Sequence, residues 1–449
     1  MTDQMSTSLN PRPELATPAS TGPSEPLVEV ISLALVFATS VVAALFAHQF
    51  REVIFWSIGA YSNTHIATGA ARVMNPALLF VIVTIGLLLS SWIGRRAHTL
   101  SDNRIGLSVV ASAARGDGPG PSVIGTLLRA SGTLTASATL ASLGREAAIL
   151  ETGGAIGWGL TTRARRRVDN LPTDLAAGIA AAGVAAAFAA AYHAPFAGLL
   201  YVEEHLRVRQ QRRAATYTII GAVTGHLTAV YLLGGRRVFS PVSGSRSNVL
   251  VMGLIVVVPV TIGSSLFNQL RQHIGHLISS RKSVETSLFW MAGSAVAGGV
   301  TAVVFRDVAG NGMEAIRSSV TGATLGLIAA LAFGKMLATA AALGSGAPGG
   351  IFSPSMAVAA GWALLTFEVF RRLGISLPGP AWSGVIAALA IGIAIGLGSP
   401  LVAMVAIPEM TGDLRILPFV AIVVGIALAL RHVARGFTRR WPGRRRASA

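Results

Sequence analysis

Long apolar runs recur along the whole chain. Each run is close to the ~20 residues that a transmembrane helix needs, and short polar segments separate them. The pattern predicts an all-α polytopic membrane protein. The runs lie near residues 28–48, 75–94, 216–234, 249–266, 286–305, 322–343, 379–397 and 415–430.

Other apolar segments are interrupted by proline or glycine, which indicates broken helices. In residues 175–206 the helical pattern stops at His193, Ala194 and Pro195, because proline within a helix removes a backbone hydrogen bond. A proline in 396–410 likewise precedes a short apolar run that leads to a glutamate. Broken helices at membrane depth are tolerated only where they are buried in protein or line a polar cavity.

The interrupted segments form two pairs in the same order. One pair consists of LGREAAILETGGAIG (143–157) and GSGAPGGIFSPSMAVAAG (344–361). The second of these segments is a glycine-rich turn that opens a short amphipathic helix. The members of each pair lie roughly 200 residues apart, which is typical of a transporter built from two repeats with its site where they meet. We therefore expect repeats at about 27–235 and 248–433, within one transport domain at 27–433.

Charged residues are scarce and unevenly placed. Of 449 residues, 52% are hydrophobic and 12% charged, with a formal net charge of +17. The arginines cluster at 163–167, 207–213 and 431–446, where they favour the cytoplasmic side of the membrane. The basic tail at 434–449 fits contact with anionic lipid better than nucleic-acid binding, and topology determination alone is the explanation we favour. The Pro-, Ser- and Thr-rich segment at 1–26 is expected to be disordered.

The residue types that carry enzymatic chemistry are absent or scattered. The chain has no cysteine, which excludes disulfides and thiolate metal sites. His48, His65, His193, His205 and His276 are scattered along the chain and do not form with one another the helical pair spacing of a metal site. We therefore expect no metal, no cofactor and no enzymatic activity.

The glycine-rich helix start at 344–354 favours an anion as ligand. A helix that begins inside the membrane presents free backbone N–H groups and its positive dipole end, and glycine lets a ligand approach the backbone. The amides of Ile351 and Phe352 would then face the ion. From composition alone, a tight loop between two spans explains this segment at least as well.

Glu146 is an acid at a similar helix start, among apolar residues. The amides that hold an anion also stabilise a carboxylate, so Glu146 would occupy an anion site when charged and leave it when protonated. A helix cap, or an ion pair with Arg145, is the alternative. An acid within the membrane is nonetheless a functional-site hypothesis by default.

These segments resemble the CLC family of chloride channels and proton/chloride antiporters. The family's GREGP signature is matched by GREAA (144–148), its GxFxP by GIFSP (350–354) and its AP…G…EE element by APFAGLLYVEE (194–204). EMTGDLRILP (409–418) and GNGMEAI (310–316) are similar to further family elements. The matches stand in family order.

The resemblance implies a CLC-type inverted-repeat fold with many tilted and broken helices. It also implies a homodimer in the cell inner (plasma) membrane with one anion pathway per subunit, and proton/chloride exchange gated by Glu146. The soluble CBS modules of many relatives are absent from this sequence. The residues implied at the ion are Gly144, Arg145, Gly350, Ile351, Phe352 and Pro354.

The sequence departs from the family at the ion-contact positions. Asn103 stands nearest to the family's central serine, and its amide can still donate to an anion. Ala147 and Ala148 replace the Gly-Pro of the first signature, and no tyrosine follows residue 231. The nearest candidates for the family's late tyrosine are Phe437, Arg439 and Trp441.

The sequence leaves two neighbouring candidates for the inner proton-accepting residue. Counted without gaps, Glu204 matches the first glutamate of the family's pair, and the second, which transfers protons, falls on His205. Histidine titrates near neutral pH and can relay a proton. A one-residue slip would return that role to Glu204, and His205 would then be an ordinary interfacial residue.

Three functions besides exchange remain open. Many relatives without an inner acid are passive channels. A preference for another anion, such as fluoride or nitrate, is motivated by Asn103. A structural or receptor role with a decayed pore is the third, because several usual ion-contact positions are altered.

Overall fold

The computed structural model describes residues 25–440 except 169–170, 173, 209–211, 236, 243, 280–283 and 321. Within these residues the fold is helical and contains no β-strand, which confirms the predicted all-α class. Residues 1–24 of the expected disordered segment lie outside the described part, and the first helix already includes residues 25 and 26. The last helix extends to Arg440, so the expected tail begins as helix, and 441–449 lie outside the described part.

Nine helices make up the described part of the first half of the chain. Asn75 caps one of them by accepting a hydrogen bond from the Ala77 N–H, with Pro76 at the first helical position, where no backbone donor is needed. The helices are α1 (Glu25–Tyr61), α2 (Ala67–Val73), α3 (Pro76–Leu100), α4 (Leu107–Arg115), α5 (Val123–Ala138), α6 (Glu146–Arg165), α7 (Leu175–Tyr192), α8 (Pro195–His205) and α9 (Arg212–Leu227).

A further nine helices make up the described part of the second half, and short π-turns follow helices in both halves. Single π-turns follow α9 (Thr228–Leu232), α13 (Ala330–Gly334) and α16 (Ile393–Leu397). The helices are α10 (Asn248–Ser279), α11 (Val284–Val304), α12 (Met313–Ser319), α13 (Leu325–Ala329), α14 (Lys335–Gly344), α15 (Phe352–Arg372), α16 (Ala381–Gly392), α17 (Pro400–Thr411) and α18 (Leu417–Arg440).

Eight helical segments of the described chain are long and apolar enough to cross a membrane. Most coincide with the predicted runs, but the expected short amphipathic helix after the 350–354 turn is wrong. That helix is α15, which has 21 residues and is buried along most of its length. Its serines and threonine weaken the apolar signal, yet α15 packs against protein, so the polar residues need not face lipid.

The two predicted helix breaks are confirmed. His193 and Gly398 both adopt the left-handed backbone conformation, with φ of 53° and 82°. The next helix then starts at Pro195 in the first half and at Pro400 in the second. Both halves thus use the same device to end one buried helix and begin a short one.

The alanine- and glycine-rich helix α7 lies at the centre of the first half. Nearly all its residues are buried, and small side chains let neighbouring backbones approach closely. Gly153 of α6 and Gly183 of α7 face each other so tightly that a Cβ on either would overlap the other's carbonyl oxygen. This packing fixes the start of α6 relative to the end of α7.

The short helices α8 and α17 cap each other. Glu204, near the end of α8, accepts hydrogen bonds from the N–H groups of Leu401 and Val402 at 2.7 and 3.4 Å. Glu409, near the end of α17, accepts them from Phe196 and Ala197 at 2.9 and 2.8 Å. Each carboxylate therefore meets the positive end of the other helix, a local two-fold relation between the halves.

Candidate functional site

The two glycine-rich signatures meet through their backbones. The Gly144 N–H donates to the Gly350 carbonyl at 2.9 Å, and the Gly350 N–H donates back at 2.6 Å. Two residues further on, α6 begins at Glu146 and α15 begins at Phe352. The N-termini of two long helices, one from each half, are thereby brought to one place inside the protein.

We call the meeting point of residues 144–146 and 350–352 the junction. The Glu146 side chain turns back onto it. It is only 4% exposed, its Oε1 accepts a hydrogen bond from the Ser353 hydroxyl, and its Oε2 is buried without a hydrogen-bond partner. A Cβ on Gly144 would overlap Oε2, and one on Gly350 would lie 2.8 Å from it. The carboxylate therefore fills a space that exists only because both positions are glycine.

The surroundings of Glu146 suit a negative charge. The first amides of α15, from Ile351 onward, have no acceptors within the helix, and they carry its positive dipole end. Pro354 sits in the first turn, where its missing N–H costs nothing. A helix start of this kind can hold either a carboxylate or a small inorganic anion.

Glu151, five residues further along α6, differs from Glu146. It is equally buried but forms an ion pair with Arg129 of α5, with N–O distances of 2.6 and 2.5 Å. Its charge is therefore neutralised within the protein. Of the two acids in the 143–157 stretch, Glu146 is the one left with an unpaired oxygen.

Two hydroxyls at the site were missed by the sequence analysis. Tyr192 is the last residue of α7, and its hydroxyl lies 3.3 Å from that of Ser353, which contacts Glu146. The Tyr192 ring packs on Phe352 with 4.8 Å between ring centroids. Tyr192 directly precedes the helix break, and Ser353 lies inside GIFSP, so their positions beside signature residues were the available signal.

Arg145 points away from the junction. Its guanidinium lies 5.8 Å from the centre of the Phe55 ring on α1, and it lines a small cavity together with His48, Arg51 and His193. It therefore makes no ion pair with Glu146. It contributes to a basic cavity on the side of the junction that faces the end of α1.

His205 lies beyond the aromatic residues that pack near Glu146. Its Nε2 is 3.0 Å from the Ser399 hydroxyl, and its Nδ1 is buried without a partner. Its ring stacks on Tyr201 at 4.2 Å, and Tyr201 packs on Phe188, which contacts Tyr192. Glu204, in contrast, is engaged as the cap of α17.

Asn103 is not brought to the junction. It is exposed, in a left-handed turn before α4, and its backbone N–H donates to the His98 carbonyl. No contact described for Asn103 joins it to Glu146 or to the 350–354 segment. The late-tyrosine candidates Phe437, Arg439 and Trp441 lie outside the residues whose side chains the structure describes.

Comparison with known proteins decides the family. The family model described as voltage gated chloride channel matches residues 86–432, which is most of the chain. The chain belongs to the CLC family. This CLC protein is 26% identical over 419 residues to the voltage-gated ClC-type chloride channel ClcB of Salmonella typhi, covering 90% of this chain and 95% of that one.

The matches to other curated relatives cover only part of each relative's length. The H(+)/Cl(-) exchange transporter ClcA of Yersinia pestis bv. Antiqua (strain Angola) is 27% identical over 303 residues, and the match spans 61% of it. The match to ClcB of Citrobacter koseri spans 59% of that entire protein.

Solved structures share the fold of this CLC protein. A slow cyanobacterial Cl⁻/H⁺ antiporter matches with a TM-score of 0.72 at 18% identity, covering 90% of this chain and 95% of that one. A CLC-type fluoride/proton antiporter matches with a TM-score of 0.69 at 17% identity, covering 90% and 96%. The expected CLC-type membrane fold is thus confirmed.

Proposed function

We propose that this protein carries chloride or a similar small anion across the membrane in exchange for protons, with Glu146 as the gate. The observation that carries the proposal is the unpaired, buried Oε2 of Glu146 at the meeting point of two helix N-termini. The charged carboxylate occupies the anion site, and the protonated side chain leaves it. Membership of the CLC family supports this assignment, as do its relatives, a ClC-type chloride channel and an H(+)/Cl(-) exchange transporter.

The basic cavity next to the junction supports the direction of anion entry. Arg145 lines it together with two histidines and with Arg51, which is ion-paired to Glu52, and the guanidinium charges raise the local concentration of anions. An anion that enters there reaches the backbone of Arg145 and then the site of the Glu146 carboxylate. The proposal therefore places the approach of the anion on the side where α1 ends.

Fluxes from purified protein in liposomes test the proposal. With a chloride gradient and equal pH on both sides, chloride efflux should drive proton movement in wild-type protein. Glu146→Ala should abolish proton movement while chloride flow persists, because the titratable competitor is gone. Chloride flow without protons in wild-type protein would instead establish a passive channel, and no anion flow at all would contradict the proposal.

His205 is proposed as the inner proton station rather than Glu204. The His205 Nδ1 is buried without a partner, whereas the Glu204 carboxylate is held by two amides of α17. We expect His205→Gln to stop proton movement with chloride flow retained, and Glu204→Gln to keep the proton-to-chloride ratio. The reverse result would assign the role to Glu204.

The substrate and assembly are part of the same proposal. Because Asn103 lies away from the junction, it gives no reason to prefer fluoride or nitrate over chloride. Competition among halides for uptake measures this, and a strong fluoride preference would contradict the chloride assignment. We propose a homodimer in the inner (plasma) membrane, in contact with lipid, with one pathway per subunit; the mass of the detergent-solubilised protein tests the stoichiometry.

A further inference from the structure

Two buried hydroxyls form a hydrogen-bonded chain that ends on Glu146. Tyr192 is 6% exposed and Ser353 is fully buried. The Ser353 hydroxyl donates to Glu146 Oε1 and lies 3.3 Å from the Tyr192 hydroxyl. Since Ser353 gives its one hydrogen to the carboxylate, Tyr192 is the donor to Ser353, and both O–H bonds point towards the negative charge.

Packing fixes the position of this chain. The Tyr192 ring contacts Phe352 at 4.8 Å and Phe188 at 5.1 Å between centroids. Tyr192 ends α7 in the first half, and Ser353 is the second residue of α15 in the other half. The hydroxyls are therefore held in place by the same helix ends that form the junction.

Donors that hold a carboxylate oxygen can also hold an inorganic anion. Both are acceptors only, and hydrogen bonds to a charged acceptor are stronger than neutral ones. Donors in series also polarise each other in a buried site. When Glu146 swings away, the Ser353 O–H and the Tyr192 O–H behind it face the vacated space.

We propose that Ser353, supported by Tyr192, is the side-chain donor to the transported anion at the position that Glu146 vacates. This assignment rests on the proposed function and makes it more specific. It places side-chain recognition of the anion at the end of α7 and the start of α15. Ser353 touches the anion, and Tyr192 is a positioning residue that orients and polarises the serine hydroxyl.

Chloride binding to purified Glu146→Ala protein tests this, because that variant leaves the site free of the carboxylate. Binding is measured by calorimetric titration with potassium chloride. Adding Ser353→Ala should weaken chloride binding about tenfold, which corresponds to ~1.4 kcal/mol, the loss of one hydrogen bond to a charge. Ser353→Thr, which keeps a hydroxyl, should restore most of the affinity.

Tyr192→Phe in the same background keeps the ring and removes only its hydroxyl, so it should weaken chloride binding by about threefold, as expected for a neutral hydrogen bond. The matched control is Tyr201→Phe, which removes a hydroxyl from the neighbouring ring 5.2 Å from Phe188 and should leave the affinity unchanged. Melting temperatures close to that of the Glu146→Ala parent verify folding.

The outcomes separate this inference from the proposed function. If Glu146→Ala protein binds chloride and neither Ser353→Ala nor Tyr192→Phe weakens binding, this inference alone is overturned. If Tyr201→Phe weakens binding as much as Tyr192→Phe, the effect is general to the aromatic cluster and the role of Tyr192 is overturned. If wild-type protein passes no anion and Glu146→Ala binds none, the proposed function fails as well.

Discussion

At the scale of single residues, the role of a buried acid depends on its hydrogen-bond and ion-pair partners rather than on its residue type. Glu146 and Glu151 lie on one helix and are equally buried, but Glu151 is neutralised by Arg129 whereas one oxygen of Glu146 has no partner. The sequence analysis chose Glu146 for its place at a helix start, but it did not predict that Glu151 is ion-paired. Arg129 lies on another helix, and no local pattern reveals such a contact.

The same limit explains which site residues the sequence could reveal. Gly144, Glu146 and the 350–354 turn carry local signatures, because a helix start inside the membrane needs glycine and proline. The role of the Tyr192 hydroxyl depends on its contact with Ser353, which lies far away in the sequence. Asn103 was placed by counting along the sequence, and an exposed turn before α4 takes it away from the junction.

Glycine at position 350 is predicted to keep the gate in place. In Gly350→Ala the added Cβ would lie 2.8 Å from Glu146 Oε2, so the carboxylate should be displaced. We expect coupled proton movement to fall about tenfold, as for ~1.4 kcal/mol of lost carboxylate binding, while chloride flow persists. Simultaneous proton and chloride fluxes in liposomes measure this.

Gly293→Ala on α11 is the control, since a Cβ there meets no atom within 4 Å, and it should behave as wild type. An unchanged proton-to-chloride ratio in Gly350→Ala would show that the carboxylate does not use this space.

At the scale of elements, the positions of helix breaks were predicted from the sequence more accurately than the lengths of helices. The breaks before Pro195 and Pro400 follow from backbone chemistry, which acts within a few residues. The length of α15 depends on its burial against other helices. Its polar residues lower its hydropathy, and the sequence therefore predicted a helix that is too short. The reciprocal caps of α8 and α17 could not be predicted, because each joins groups from opposite halves of the chain.

The two capping acids are predicted to stabilise the fold to a similar extent. Glu409→Gln and Glu204→Gln each remove a charge from a helix N-terminus while keeping the side-chain shape, which should cost about 1–2 kcal/mol. Melting temperatures in detergent should therefore fall for both variants. Glu203→Gln, at the exposed neighbouring position, should leave the melting temperature unchanged, and an equal drop there would argue against the caps.

At the scale of the whole molecule, the basic segment at the end of α6 marks one face. Apolar residues near the start of α1, including Val28 and Val36, pack with Val168 and Leu171, next to the basic 163–167 segment. The other end of α1 reaches Arg145 through Phe55. Because basic loops favour the cytoplasm, we predict that the start of α1 and the end of α6 lie on the cytoplasmic face.

This orientation predicts opposite labelling of two exposed positions. The chain has no cysteine, so single replacements give a clean signal. In intact cells an impermeant maleimide should label Asn63→Cys, beyond the end of α1, and should spare Arg166→Cys, after α6. Both should react after the membrane is permeabilised. Labelling of Arg166→Cys in intact cells would reverse the assigned orientation.

The mutual capping of α8 and α17 also bears on biosynthesis. As the ribosome delivers the chain, the N-terminus of α8 is complete long before Glu409 has been made. Until then its leading amides must find water, lipid headgroups or a chaperone. A truncated product that ends before α17 keeps this exposed positive helix end, so quality-control proteases should remove it faster than the full-length protein.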